Sequence, residues 1–199
     1  MSVIKTEPKY ITNIKSFMEI ISNNFSKIIY GIIIIFLISV SYRLSKHYRV
    51  NKALENLENL KGVFFINSKL KNIDTKKLKL CDFHITTAFR PYLAMRQHYE
   101  YCDLRILQRI LMSGVRAIYI DVFNDSLKKS ASPVISCGHK DGEWKLTINK
   151  INFKDFCETL RRICFNSAYI SNYDDPFILL MNLNTNNNIN CLNKIKKII

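Results

Sequence analysis

Two histidines and a cysteine lie in patterns that suit proton transfer or nucleophilic chemistry. His84 lies at the end of a predicted short strand, and His139 follows Cys137 in a Cys-Gly-His-Lys segment. Because imidazole changes charge near neutral pH, two histidines facing one pocket could form a general acid–base pair. Each could equally be a hydrogen-bonded or exposed turn residue. Cys137 would need a lowered pKa to act as a nucleophile, so we interpret it as a small core residue.

Alternating strands and helices must position these side chains. The predicted strands are 79–86, 115–123, 133–137 and 176–183, and the predicted helices are 101–114, 151–169 and a last one from 188. The segment 115–123 is almost continuously apolar, as buried parallel strands are. Strand–helix alternation of this kind predicts a parallel α/β domain from residue 80 onward.

The order of motifs in this domain resembles the X region of phosphatidylinositol-specific phospholipase C, the catalytic half of a distorted TIM barrel. That family has Ser-His-Asn-Thr after its first strand, then Gly-Cys-Arg, Glu-x-Asp, Pro-Val-Ile-Tyr-His-Gly-His, a Phe-x-Asp-Val helix and Pro-Val-Ile-Leu-Ser-Leu-Glu. The corresponding segments are 83–86, 114–116, 119–121, 133–139, 153–156 and 176–182. The resemblance covers residues 80–185 and implies a partial, half TIM-barrel-like parallel β/α domain.

The resemblance also implies a catalytic site. Two family histidines perform acid–base work on the inositol 2-hydroxyl and the cyclic phosphate. The first matches His84, and the second matches Cys137, with His139 two residues further on. His84 and His139 are therefore the candidate catalytic residues.

Calcium is the cofactor that the resemblance implies, held by an Asn, a Glu-x-Asp pair and a later Glu. These positions match Ile85, Tyr119, Asp121 and Asn182. Asp121 and Asn182 are the candidate metal ligands. Since calcium prefers six to eight oxygen ligands, many of them carboxylates, we expect its binding to be weak or lost. Calcium-independent bacterial relatives use an arginine among these positions, and none of the four is arginine here.

An apolar segment at 28–44 predicts a single transmembrane helix. Its length is at the short end of the roughly 17–25 residues that span a bilayer, and its one charge is Arg43. A buried soluble helix or strand and a cleavable signal peptide are the alternatives. Residues 1–27 are either an amphipathic interfacial helix or a simple extension of the anchor. Residues 45–79 are predicted to be a basic juxtamembrane linker, and 80–199 the phospholipase C X-like domain.

Basic residues around the anchor predict its orientation. Lys9, Lys15 and Lys27 precede it. On its C-terminal side are Arg43 at its end and then Lys46, Arg49, Lys52 and Lys61. Since positive flanks remain cytoplasmic, we expect a single-pass membrane protein with a cytoplasmic C-terminal domain. Anionic lipid or phosphoinositide is the expected partner of a chain with net charge +14. We expect no nucleic-acid partner, because the basic runs lack interleaved aromatics.

The residues and the resemblance leave two functions open. One is a membrane-anchored phosphatidylinositol phospholipase C-like phosphodiesterase with weakened or lost catalysis. The alternative is a non-catalytic anchored protein that binds lipid headgroups or has a structural role. A closed barrel needs about 200 residues or more. The alternatives for residues 80–199 are a truncated product, half of a split protein, or a half barrel that pairs with itself, and a second chain is a candidate partner that would complete or cover it.

Overall fold

The structure is a computed structural model that describes residues 9–58, 78–96, 99–126, 128, 130–138, 147–171 and 173–199. Side chains are described from residue 24 onward. The chain divides into two compact units, Met1–Lys46 and His47–Ile199. His139 and most of the second half of the predicted linker lie outside the described residues.

One long helix, α1, spans Lys9–Glu58. It continues without a break from the segment before the predicted anchor to the segment after it. Among the described residues, its Asn24–Glu58 part is long and apolar enough to cross a membrane, with a mean hydropathy of 2.0 in its most apolar stretch. Apolar side chains of that stretch are exposed, Ile35 and Phe36 among them. Length and composition are compatible with a membrane span.

The second unit begins at His47, so the last turns of α1 belong to that unit. Val50 and Ala53 are buried in a small cluster with Ile106. Arg49 Nη1 lies 3.3 Å from Oε2 of Glu100, whose side chain is almost fully buried. A helical apolar stripe at the end of α1 therefore packs on the domain. The boundaries 45–79 for a juxtamembrane linker stay a prediction.

The domain contains five strands and three further helices among its described residues. The strands are β1 Thr87–Phe89, β2 Ala117–Asn124, β3 Pro133–Ile135, β4 Ile151–Asn152 and β5 Ile178–Asn184. The helices are α2 Leu104–Met112, α3 Phe153–Cys164 and α4 Ile189–Ile198.

β2 is the central strand of the sheet. It pairs in parallel with β1 along its first residues and with β5 along most of its length. β3 pairs with the end of β2 in the antiparallel sense, and β4 pairs antiparallel to β3. A mixed α/β fold with parallel strands is thus confirmed, whereas a fully parallel sheet is wrong. The connection 125–132 is too short for a parallel crossover, which needs about a dozen residues or more, but long enough for an antiparallel return.

The first strand lies later in the sequence than predicted. Leu80–Asp82 form a 3₁₀ turn, whose Asp82 carboxylate accepts a hydrogen bond from Lys79 N at 2.8 Å. β1 begins only at Thr87, which is in register with Ala117. The predicted strand 79–86 is therefore wrong, and this shift changes which residue follows the strand.

Helices α2 and α3 contribute to one core with alternate residues of β2. The buried members of this core include Leu107, Leu111, Ile118, Ile120, Val122, Phe153 and Phe156. Because successive strand residues point to opposite faces, Tyr119 and Asp121 project on the other face of the sheet.

Candidate functional site

Asp121 is the centre of a polar cluster on that other face. It lies on β2 and is only 1% exposed. The register between β2 and β5 places Asn182 beside it, and Asn182 Nδ2 donates to Asp121 Oδ1 at 2.7 Å. The structure therefore brings the two predicted metal ligands together, but through a hydrogen bond between their own side chains.

Arg90 contacts the other carboxylate oxygen of Asp121. Its Nε lies 2.6 Å from Asp121 Oδ2. Neither atom makes a well-aligned hydrogen bond to a described residue, so charge attraction at short range holds the pair. The positive guanidinium compensates the buried carboxylate, which without a partner would be costly.

The backbone after β1 fixes Arg90 in this position. Arg90 has a φ of 49°, in the left-handed region that residues with a side chain rarely occupy. Its N–H donates to the Tyr119 carbonyl at 2.9 Å, which continues the contact between β1 and β2. Its guanidinium lies 4.7 Å from the centre of the Phe89 ring, within the range of a cation–π contact.

Two tyrosines complete the cluster. Tyr119 projects on the same face of the sheet as Asp121, and burial followed by the Asp121 charge raises the pKa of its phenol. Tyr92 is fully buried, and its hydroxyl donates to the Ser136 carbonyl at 2.7 Å. Burial, and then Asp121, raises the pKa of Tyr92 well above its ordinary value. Both phenols therefore remain protonated near neutral pH.

Cys137 is a buried thiol rather than an activated nucleophile. Its Sγ lies 3.0 Å from Arg90 Nη1, which donates to it. Burial raises the pKa of Cys137 and Asp121 raises it further, while Arg90 acts in the opposite direction. Since the thiolate is the reactive form, this environment favours the unreactive thiol.

His84 is not brought to the cluster. It is exposed and precedes β1, whereas Arg90 follows that strand. The Thr86 carbonyl accepts from Ala117 N at the start of β2, so the chain enters the sheet at its amino end. The catalytic role of His84 stays a prediction. His139 lies outside the described residues, so the acid–base pair also stays a prediction.

The residues around Asp121 do not fit a calcium site. Asp121 is the cluster's one carboxylate among the described residues, and both of its oxygens face nitrogen atoms of other side chains. Within the described ranges, no group of three or more His, Cys, Asp or Glu residues could hold a metal ion. Calcium needs several oxygen ligands, which this arrangement does not present.

Sequence reasoning missed Arg90 because it placed the first strand too early. An arginine directly after a strand would lie at the carboxyl end of a parallel pair, where α/β sheets bind ligands. The Phe-Arg-Pro segment at 89–91 indicates such a position for Arg90, because a proline is typical of the end of a strand.

Comparison with known proteins gives distant similarity in structure. No family model and no curated protein matches the chain. A solved chain, described as the crystal structure of L. pealei PLC21, is similar with a TM-score of 0.36 and 20% sequence identity. The similarity covers 43% of this chain and 10% of that chain.

Proposed function

We propose that this chain is a membrane-anchored, phospholipase C-like protein that binds a phosphate-bearing lipid headgroup without calcium and without hydrolysing it. The observation that carries the proposal is the Arg90 guanidinium on Asp121, with Nε 2.6 Å from Oδ2. A guanidinium has five N–H donors. The described contacts of its side chain to Asp121 and Cys137 use Nε and Nη1, so Nη2 remains for a phosphate oxygen.

The position of β1 in the structure supports a role of Arg90 in place of a calcium ligand. The family turn follows the first strand, and β1 ends at Phe89. A turn at 88–91 would match Phe89 to the family's first histidine and Arg90 to its calcium asparagine. In this register an arginine replaces a calcium ligand, as in the calcium-independent relatives.

The same register supports loss of catalysis. Phe89 cannot transfer a proton, and Cys137 at the second histidine position has a raised pKa. Tyr119 at the position of the family's first Glu also has a raised pKa. Acid–base groups accelerate such reactions by about 10²–10⁴-fold each, so a site without them should be nearly inert.

The apolar part of α1 supports a membrane location for this site. Its exposed isoleucines would be shielded by lipid, and the basic residues that follow favour a cytoplasmic domain near anionic lipid. The parallel β1–β2–β5 strands are compatible with part of a barrel that a second chain covers.

Binding of inositol 1-phosphate to the full chain in detergent micelles tests the proposal. We expect calorimetric binding that persists in EDTA and falls at least tenfold in Arg90→Lys, because lysine lacks the guanidinium's fork of donors. Arg109→Ala on the exposed face of α2 is the matched control and should bind normally. Absence of binding by the wild type, or binding that requires calcium, would contradict the proposal.

Phosphodiesterase activity is the alternative function, and the same protein preparation can test it. Incubation with phosphatidylinositol vesicles should release no inositol phosphate above the blank. If release occurs and His84→Ala reduces it by about 10²-fold or more, the catalytic alternative and the His84 assignment both hold.

A further inference from the structure

The outer edge of β5 is long and open. β5 has seven residues and pairs with β2 on one side, and no described strand pairs with its other side. The other terminal strands of the sheet, β1 and β4, have three and two residues. Because unpaired N–H and C=O groups can pair with another chain, natural proteins usually keep edge strands short or protected.

The direction of the backbone groups defines which residues of β5 are available. Ile178 N–H donates to the Arg116 carbonyl at 2.8 Å, so it points toward β2. In a parallel pair, each residue directs its N–H and its C=O to the same side of the strand. Successive residues alternate between the two sides. Leu179, Met181 and Leu183 therefore direct their N–H and C=O groups to the open edge.

Two of the usual protections of an edge strand, proline and charge, are missing from β5. It contains no proline and no charged residue, and the whole run from 176 to 193 lacks Asp, Glu, Lys and Arg. Leu180 is 49% exposed and Leu183 is 46% exposed, on opposite faces of the strand. In a chain of net charge +14, this neutral edge can meet a copy of itself without like-charge repulsion.

We propose that two copies of this chain pair through β5, antiparallel, about a twofold axis at Met181. In this register the outward-directed residues form the hydrogen-bonded pairs, with Met181 opposite its own copy and Leu179 opposite Leu183. One face of the new pair is thus a ladder of apolar side chains, which stabilises adjacent strands. A shift of one residue would place outward groups opposite inward ones and lose these bonds.

The pairing also encloses one side of the Asp121 cluster. Leu180 of the second copy lies opposite Asn182, whose amide donates to Asp121. Each copy thereby contributes an apolar side chain beside the other copy's cluster. This inference rests on the β5 edge alone and does not depend on headgroup binding.

A disulfide experiment on the full chain in detergent micelles tests the register. In a hydrogen-bonded antiparallel pair the two Cα atoms are about 5.5 Å apart, within the reach of a disulfide. Met181→Cys should therefore form a covalent dimer on mild oxidation. Leu183→Cys is the matched control, because its two copies would be about 14 Å apart and should not cross-link. The wild type, whose six cysteines are free, gives the background.

A charge at the edge provides a second test that does not require oxidation. Leu183 is half exposed, so Leu183→Lys should fold normally while weakening association at least tenfold, as measured by sedimentation equilibrium. Four outcomes would overturn the proposal: a monomeric wild type, equal cross-linking at 181 and 183, no cross-linking at 181, or a dimer that Leu183→Lys leaves intact. The last outcome would assign the dimer to α1 or another surface.

Discussion

Two arginines beside β2, the half-buried Arg90 and the buried Arg116, have very different surroundings. Arg90 faces the Asp121 carboxylate and the Cys137 thiol, so its charge is compensated by a side chain. Arg116 is 6% exposed, and its hydrogen bonds go to backbone carbonyls. Arg90 therefore belongs to a cluster of ionisable side chains, whereas Arg116 connects segments of the backbone.

Arg116 shows how an arginine is buried for structural reasons. Its guanidinium donates to the carbonyls of Cys164, Asp175 and Pro176, which join the end of α3 to the start of β5. It also lies 5.8 Å and 5.5 Å from the ring centres of Phe165 and Phe177. Burial lowers the pKa of Arg116, opposed by Cys164 and Asp175. Burial of an arginine alone therefore does not identify a binding site; its partners do.

Removing the Arg90 side chain should have the largest effect on stability. Arg90→Ala leaves Asp121 buried without its cation, which typically costs about 3–5 kcal/mol. Pulse proteolysis in urea, at neutral pH and on the full chain in micelles, would measure the loss of unfolding free energy.

The double variant Arg90→Ala/Asp121→Ala is the control for this effect. It removes both charges, so it should be more stable than Arg90→Ala alone. If the single variant loses less than about 1 kcal/mol, the pair behaves like an exposed ion pair and its burial is not important.

Removing the Arg116 side chain should have a somewhat smaller effect. Arg116→Met keeps apolar contact with the rings but removes donors to three carbonyls, at about 1–3 kcal/mol for a buried group left unpaired. The same proteolysis assay should show a loss of about 3 kcal/mol without changing inositol 1-phosphate binding. Arg109→Ala, on an exposed surface, should stay within about 0.5 kcal/mol of wild type. If the Arg116→Met variant were fully folded and did not bind inositol 1-phosphate, a purely structural role of Arg116 would be contradicted.

The amino-acid pattern was sufficient to predict the central elements of the domain. The continuous apolar run at 115–123 predicts β2, and the amphipathic spacing from 151 predicts α3, because both bury side chains in one core. Their side-chain periods are local properties of the sequence. The same kind of reasoning failed at 79–86, where the predicted strand is not formed and β1 begins only at Thr87.

Nonlocal contacts explain what the sequence could not predict. Three-residue β1 exists because it pairs with Ala117–Tyr119, about thirty residues later in the chain. That pairing determines where Arg90 lies, and no local period encodes it. The packing of Val50 on the domain has the same origin. Placement of Asn182 beside Asp121 depends on the register of β5.

Cys164 lies near Arg116 and Cys137 lies near Arg90. Replacing these cysteines should have the smallest effect on stability among the changes that compare the two arginines. Cys164 is fully buried, and burial raises the pKa of its thiol to about 11, opposed by Arg116. Burial likewise raises the pKa of Cys137, but Arg90 and Asp121 act on it with opposite signs. Each thiol is therefore more easily deprotonated in the unfolded chain than in the folded one.

Stability should consequently fall as the pH rises through the alkaline range. Below an ordinary thiol pKa of 9.0 the Cys164 contribution is fully present, and it is lost as the pH approaches about 11. Two pKa units correspond to about 2–3 kcal/mol as an upper value. Proteolysis in urea between pH 8 and 11 should show a steeper decline for wild type than for Cys164→Ala, whose lower stability at pH 8 reflects the lost thiol packing. Cys137→Ala should flatten the curve less, because Arg90, which donates to that thiol at 3.0 Å, opposes the rise in pKa that burial causes. Parallel curves for wild type and Cys164→Ala would show that the Cys164 thiol ionises as readily in the folded domain as in the unfolded chain.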